Sequence, residues 1–148
     1  MLYLELFFQG IVQGSIYALI ALGLTLVYGL LRILHVAHAA LFTLGGYLGV
    51  IVTNATGSFL LATAVAMIVV GFVGIAVYKL AYEPLLSKPP FISLIASIAL
   101  FIASEEIFRI IFGPYGLSYT NPPMQGYFEL FGGFFLKYGE ALVIVLSV

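Results

Sequence analysis

The sequence contains no cysteine. That excludes disulfides, thiolate metal ligands and cysteine nucleophiles. Charge is also scarce: five Lys and Arg and six Asp and Glu among 148 residues, 7% of the chain, where soluble domains carry about 25%. Hydrophobic residues make up 64% and mean hydropathy is +1.22, so a water-soluble monomer is excluded. Five scattered basic side chains and a net charge of -1 form no basic patch, which argues against nucleic acid as a partner. The N-terminal stretch has no Lys or Arg ahead of its apolar run and no A-x-A site after it, so no cleavable signal peptide is expected. Zinc-protease, P-loop and serine-nucleophile motifs are missing. The adjacent carboxylates Glu105 and Glu106 do not share a helix face. Neither an enzyme nor a cofactor protein is expected.

What the chain has instead is long apolar runs. A helix rises 1.5 Å per residue, so about 20 apolar residues cross the hydrocarbon layer, and backbone in lipid must satisfy its own hydrogen bonds. The lengths predict spans over residues 7–31, 33–53, 59–78 and 91–112, with the start of another near 134–148. Segments of about 10 alternating residues, as in a membrane β-barrel, are absent. The fold class expected is all-α, a polytopic transmembrane helical bundle in a lipid bilayer. The eight apolar residues after Glu140 are too few to cross, so the chain reads as the front part of a longer membrane protein, or else its last segment only dips into the bilayer.

Between the spans, Asn54 to Ser58 reads as a short polar turn. Its Asn54-Ala55-Thr56 formally matches a glycosylation sequon, but lies too close to the membrane for that use. Pro84 and Pro89-Pro90 predict a non-helical connection between the third and fourth spans. Gly113 to Gly133, rich in Gly, Pro and Tyr, predicts an ordered surface excursion near the headgroups. Arg109 is placed to pair with Glu105 at i,i+4 or Glu106 at i,i+3. If four spans alternate in direction, Arg32, Lys79 and Lys88 face Arg109 and Lys137 across the membrane, which weakly favours an external N-terminus.

The stretch LRILHVAHAALF, residues 31–42, is unlike the rest. A second span that starts after His38 and ends at Thr53 would be too short to cross. One that starts at Ile33 places His35 and His38 in its first turns. The region is therefore either a full helix with histidines at its end or a broken helix, and broken helices recur where transporters pass polar solutes. The two histidines are i,i+3 with no third ligand nearby, so no metal site is expected. Proton relay, packing between helices and shaping of a solute path remain as roles. Tyr28, His35, His38 and Thr43 are the candidate path residues. Gly10 and Gly14, like Gly45 and Gly49, form G-x-x-x-G spacings that permit close helix packing.

Residues 10–49, GIVQGSIYALIALGLTLVYGLLRILHVAHAALFTLGGYLG, resemble the start of the permease subunits of branched-chain amino acid ABC importers. LAYEPLL at 80–86 and LIASIALFIASEEIFRIIFGP at 94–114 extend the resemblance over essentially the whole chain. The family's members are longer. The resemblance implies a multi-pass inner-membrane subunit that is not itself the ATPase. Its implied partners are a second permease subunit, two cytoplasmic ATPase subunits and an external solute-binding protein. Hydrophobic or neutral amino acids are the implied solutes, with urea and short amides as nearby variants. After the first block the family usually reads Asn-Phe-Ala-His-Gly and then an acidic residue. Here His38 matches the family histidine, His35 stands in place of the asparagine, and Ala40 lacks the acidic group. The competing readings are a channel or secondary transporter for a small polar solute, and a membrane assembly protein that moves nothing.

Overall fold

The structure, a computed structural model, describes residues 2–121, 126–129 and 135–147. Helix α1 runs Leu2–Leu31, α2 His38–Thr56, α3 Phe59–Val77 and α4 Pro90–Phe112. Strands β1 (Tyr127–Glu129) and β2 (Phe135–Lys137) and helix α5 (Tyr138–Ser147) follow. Four helical stretches, Leu6–Leu31, His38–Thr56, Phe59–Leu85 and Pro90–Phe112, are long and apolar enough to cross a membrane. The chain is thus an all-α polytopic membrane protein with one small addition: β1 and β2 pair antiparallel, with Phe128 opposite Leu136. The excursion expected over 113–133 falls partly outside the described residues, at 122–125 and 130–134.

Contacts divide the chain into two units, 1–25 with 124–148, and 26–123. In the first, α1 up to Thr25 is accompanied by the β1–β2 ribbon and α5, and Tyr138 N–H donates to the Gly126 carbonyl at 3.2 Å. Gly10 and Gly14 lie in this unit, and beyond the helix's own nearby backbone no atom of a described residue comes within 4 Å of the position a Cβ would take.

The second unit is built on an α2–α3 hairpin. Gly57 adopts φ +71°, ψ 0°, a left-handed cap that glycine takes at no steric cost, and its N–H donates to the Thr53 carbonyl. Ser58 then caps α3, its hydroxyl accepting from Leu61 N–H. This tight turn sets the antiparallel register: Leu41 lies against Gly74, and Val70 against Gly45. Both contacts use a missing side chain to bring the helices close. Gly49, the other half of its pair, instead faces the Tyr119 hydroxyl.

Two sequence expectations need correction here. The second span does not run 33–53. It starts at His38 and continues to Thr56, because Asn54 and Thr56 stay in the helix: Thr56 donates to the Val52 carbonyl at 2.7 Å, and the chain first leaves at Gly57. Its 19 residues give about 28 Å, enough to cross without the junction. The third span does not end at Tyr78 in a non-helical link. It passes into a π-helical turn, Tyr78–Tyr82, and a 3-10 turn, Glu83–Leu85. Proline has no N–H and clashes in a regular helix interior; here Pro84 sits in the first turn of the tighter segment. Pro90 occupies the first turn of α4, where a missing N–H costs nothing.

Helices α2 and α4 run in the same direction. Ala37, just before α2, meets Ser97; further on, the Tyr47 ring stacks on Phe112 at 4.2 Å. The two helices are offset. Ser97 lies about 10 Å along α4 from Pro90, so α2 begins well inside the length of α4. At the other end, α2 outruns α4 and is met by the segment after it: Asn54 donates to the Ser118 carbonyl and accepts from Thr120 N–H. The Asn54 side chain is thereby committed to a structural clamp. Glu106 rather than Glu105 takes Arg109, at 3.1 Å.

Candidate solute cavity at the helix junction

Residues 32–37, between α1 and α2, are neither a loop nor a helix. The backbone leaves α1 at Arg32, which takes φ +53°, left-handed geometry that non-glycine residues rarely adopt. Burial alternates over the next residues: Ile33, His35 and Ala37 are buried while Leu34 and Val36 are exposed. The turn closes as His38 N–H donates to the His35 carbonyl at 3.0 Å, and α2 begins.

Two hydrogen bonds fasten this segment. Ala37 N–H donates to the Ser97 hydroxyl at 3.0 Å. The Tyr82 hydroxyl lies 2.6 Å from His35 Nδ1. The Tyr82 and His35 rings meet edge to face, 5.0 Å between centroids. Ser97 is fully buried and Tyr82 is 2% exposed. An unwound backbone has unpaired amides and carbonyls, which membrane proteins tolerate only where protein or a wet cavity covers them. Here the π-helical turn after α3 and helix α4 supply that cover, through side chains 47 and 60 residues away in the chain.

Against the junction lies a cavity of about 180 Å³. Leu31 of α1, Leu41 of α2 and Gly74 of α3 form its apolar wall, and Tyr78 and Tyr82 its aromatic one. His35 and His38 supply its polar edge, with ring centroids 6.2 Å apart. The structure therefore brings two of the four sequence-chosen path residues together. Tyr28 lines a neighbouring cavity of about 290 Å³ that also holds Arg32 and Lys88. Thr43 lines a third, of about 140 Å³, with Tyr47, Glu105 and Arg109, and its hydroxyl donates to the Ala39 carbonyl. No group of three or more potential metal ligands occurs among the described residues. Sequence reasoning missed Tyr82, Ser97 and Gly74. The first two lie in the stretches LAYEPLL and LIASIAL that carry the family resemblance, which was a usable signal; Gly74 had none.

The profile of the family described as "Branched-chain amino acid transport system / permease component" matches residues 6–148. The chain belongs to this family. It is accordingly a membrane chain of this permease family, multi-pass in the bacterial inner membrane. Among its relatives are the high-affinity branched-chain amino acid transport system permease proteins LivH of Escherichia coli K12, 31% identical, and LivH of Salmonella typhimurium LT2, 29% identical. Each match covers 68% of this chain and 35% of the relative. The corresponding permease protein BraD of Pseudomonas aeruginosa is 32% identical over 68% of this chain and 36% of its own length. The permease chain thus aligns with about a third of these relatives. No solved structure matches it.

Proposed function

We propose that the chain forms part of a permease subunit of an ATP-driven importer, and that the importer moves branched-chain or other neutral amino acids across the inner membrane. Its partners in this reading are a second permease subunit, two cytoplasmic ATPase subunits and an external solute-binding protein. The observation that carries the reading is the family match across residues 6–148. The junction gives it a physical basis. An unwound, protein-covered segment with two imidazoles at a cavity suits a passage for a solute with one polar end and one apolar end.

The test is uptake by proteoliposomes that hold the full-length permease with the second permease subunit and both ATPases, with binding protein outside. The expected result is leucine accumulation that requires ATP. Uptake that ignores ATP would favour a channel or secondary transporter. Uptake of urea but not leucine would change the solute class. No uptake of either, from a correctly assembled complex, would leave a membrane assembly protein.

A further inference from the structure

Nδ1 of His35 lies 2.6 Å from the Tyr82 hydroxyl. A phenol is a far stronger acid than a neutral imidazole N–H, so Tyr82 donates, Nδ1 accepts, and a neutral His35 carries its proton on Nε2. His38, at the same cavity, has no side-chain hydrogen bond to any described residue, so its imidazole retains its hydrogen-bonding capacity.

The cavity thus joins a fixed N–H donor at one edge to an apolar body. An engineered apolar cavity of about 150 Å³ holds benzene, so about 180 Å³ accommodates an isobutyl group with room to spare. A lipid chain would use the apolar body but leave His35 Nε2 and the His38 imidazole without a partner. An aliphatic amino acid uses both: its carboxylate accepts from the imidazole edge and its side chain fills the wall. Gly74 sits in that wall. A Cβ there would stand 3.8 Å from Leu41 Cδ1, ordinary contact, so an alanine fits the fold while it takes volume from the cavity.

We propose that this cavity is the subsite for the side chain of the transported amino acid, that His35 presents an N–H to its carboxylate, and that Gly74 sets the largest side chain admitted. The assignment rests on the amino-acid importer reading above and adds the residues and the size limit. The test measures the ratio of kcat/KM for leucine over alanine in the same proteoliposomes. A pocket commonly discriminates by about 10-fold or more per methylene. The leucine-to-alanine ratio is therefore expected to fall about 10-fold in Gly74→Ala and further in Gly74→Val. Gly74→Ala keeps the experiment decisive should the larger variant fail to assemble. Tyr82→Phe, which frees the His35 tautomer, is expected to raise KM for both amino acids with the ratio unchanged. Wild-type transport with an unaltered ratio in Gly74→Ala would overturn the subsite while the importer reading stands. Absence of wild-type amino-acid uptake would overturn the importer reading itself.

Discussion

Removal of the Tyr82 hydroxyl tests whether the Tyr82–His35 hydrogen bond holds the junction. Tyr82→Phe keeps the ring and its edge contact with His35, and deletes the atom 2.6 Å from His35 Nδ1. It strands that nitrogen. In water-soluble proteins an unsatisfied buried group costs about 1–3 kcal/mol. Within membrane bundles, side-chain hydrogen bonds average about 0.6 and reach about 1.7 kcal/mol, because the inserted unfolded chain also finds partners. Tyr82 is 2% exposed and its partner His35 7%, so the upper end applies, about 1.5 kcal/mol. If His35→Leu is added, both partners become apolar and much of that cost disappears. The double variant is expected to be more stable than the sum of the singles by about 1 kcal/mol. The assay is unfolding of the full-length protein in mixed micelles, followed by circular dichroism. A Tyr82→Phe cost under about 0.3 kcal/mol, or strictly additive singles, would refute that bond as the junction's fastening.

Two further outcomes follow from the backbone. Arg32→Gly removes the side chain that makes φ +53° costly; the left-handed penalty of about 1–2 kcal/mol, less glycine's extra entropy loss, gives a gain of about 0.5–1 kcal/mol in the same unfolding assay. Arg32→Ala, which loses the charge but keeps the strain, should show no gain, and equal effects of the two would point to charge instead. Asn54→Ala breaks both links to Ser118 and Thr120. At about 1 kcal/mol for the pair, amide exchange of residues 117–120 by mass spectrometry should accelerate about 5-fold; unchanged exchange would show that the segment is held by other contacts.

Helix number and class were legible from run length and scarcity of charge, since both are local and additive along the chain. Span limits were less so. Asn54 and Thr56 look like turn residues, yet one is satisfied by a segment 64 residues away and the other by its own helix. The prolines near 84 and 89 marked a change of structure, but not that α3 would tighten through π and 3-10 turns to deliver Tyr82. The junction carried no periodic signal: Ile33, His35 and Ala37 are buried while Leu34 and Val36, which are strongly apolar, are exposed. His35 and His38 stood out by rarity; their partner Tyr82 did not, because tyrosine is common here, with ten in the chain.

The central claim is that the histidine-edged cavity at the junction lies on the solute path. Its most direct measurement is a cysteine accessibility scan over positions 32–43 of the full-length protein in membranes. Residues 1–148 contain no cysteine, so no native thiol within them competes with the introduced one. The expected result is reaction with a membrane-impermeant thiol reagent at positions 38 and 41, slowed by saturating leucine. Protection from the aqueous reagent at every position from 32 to 43 would contradict the account.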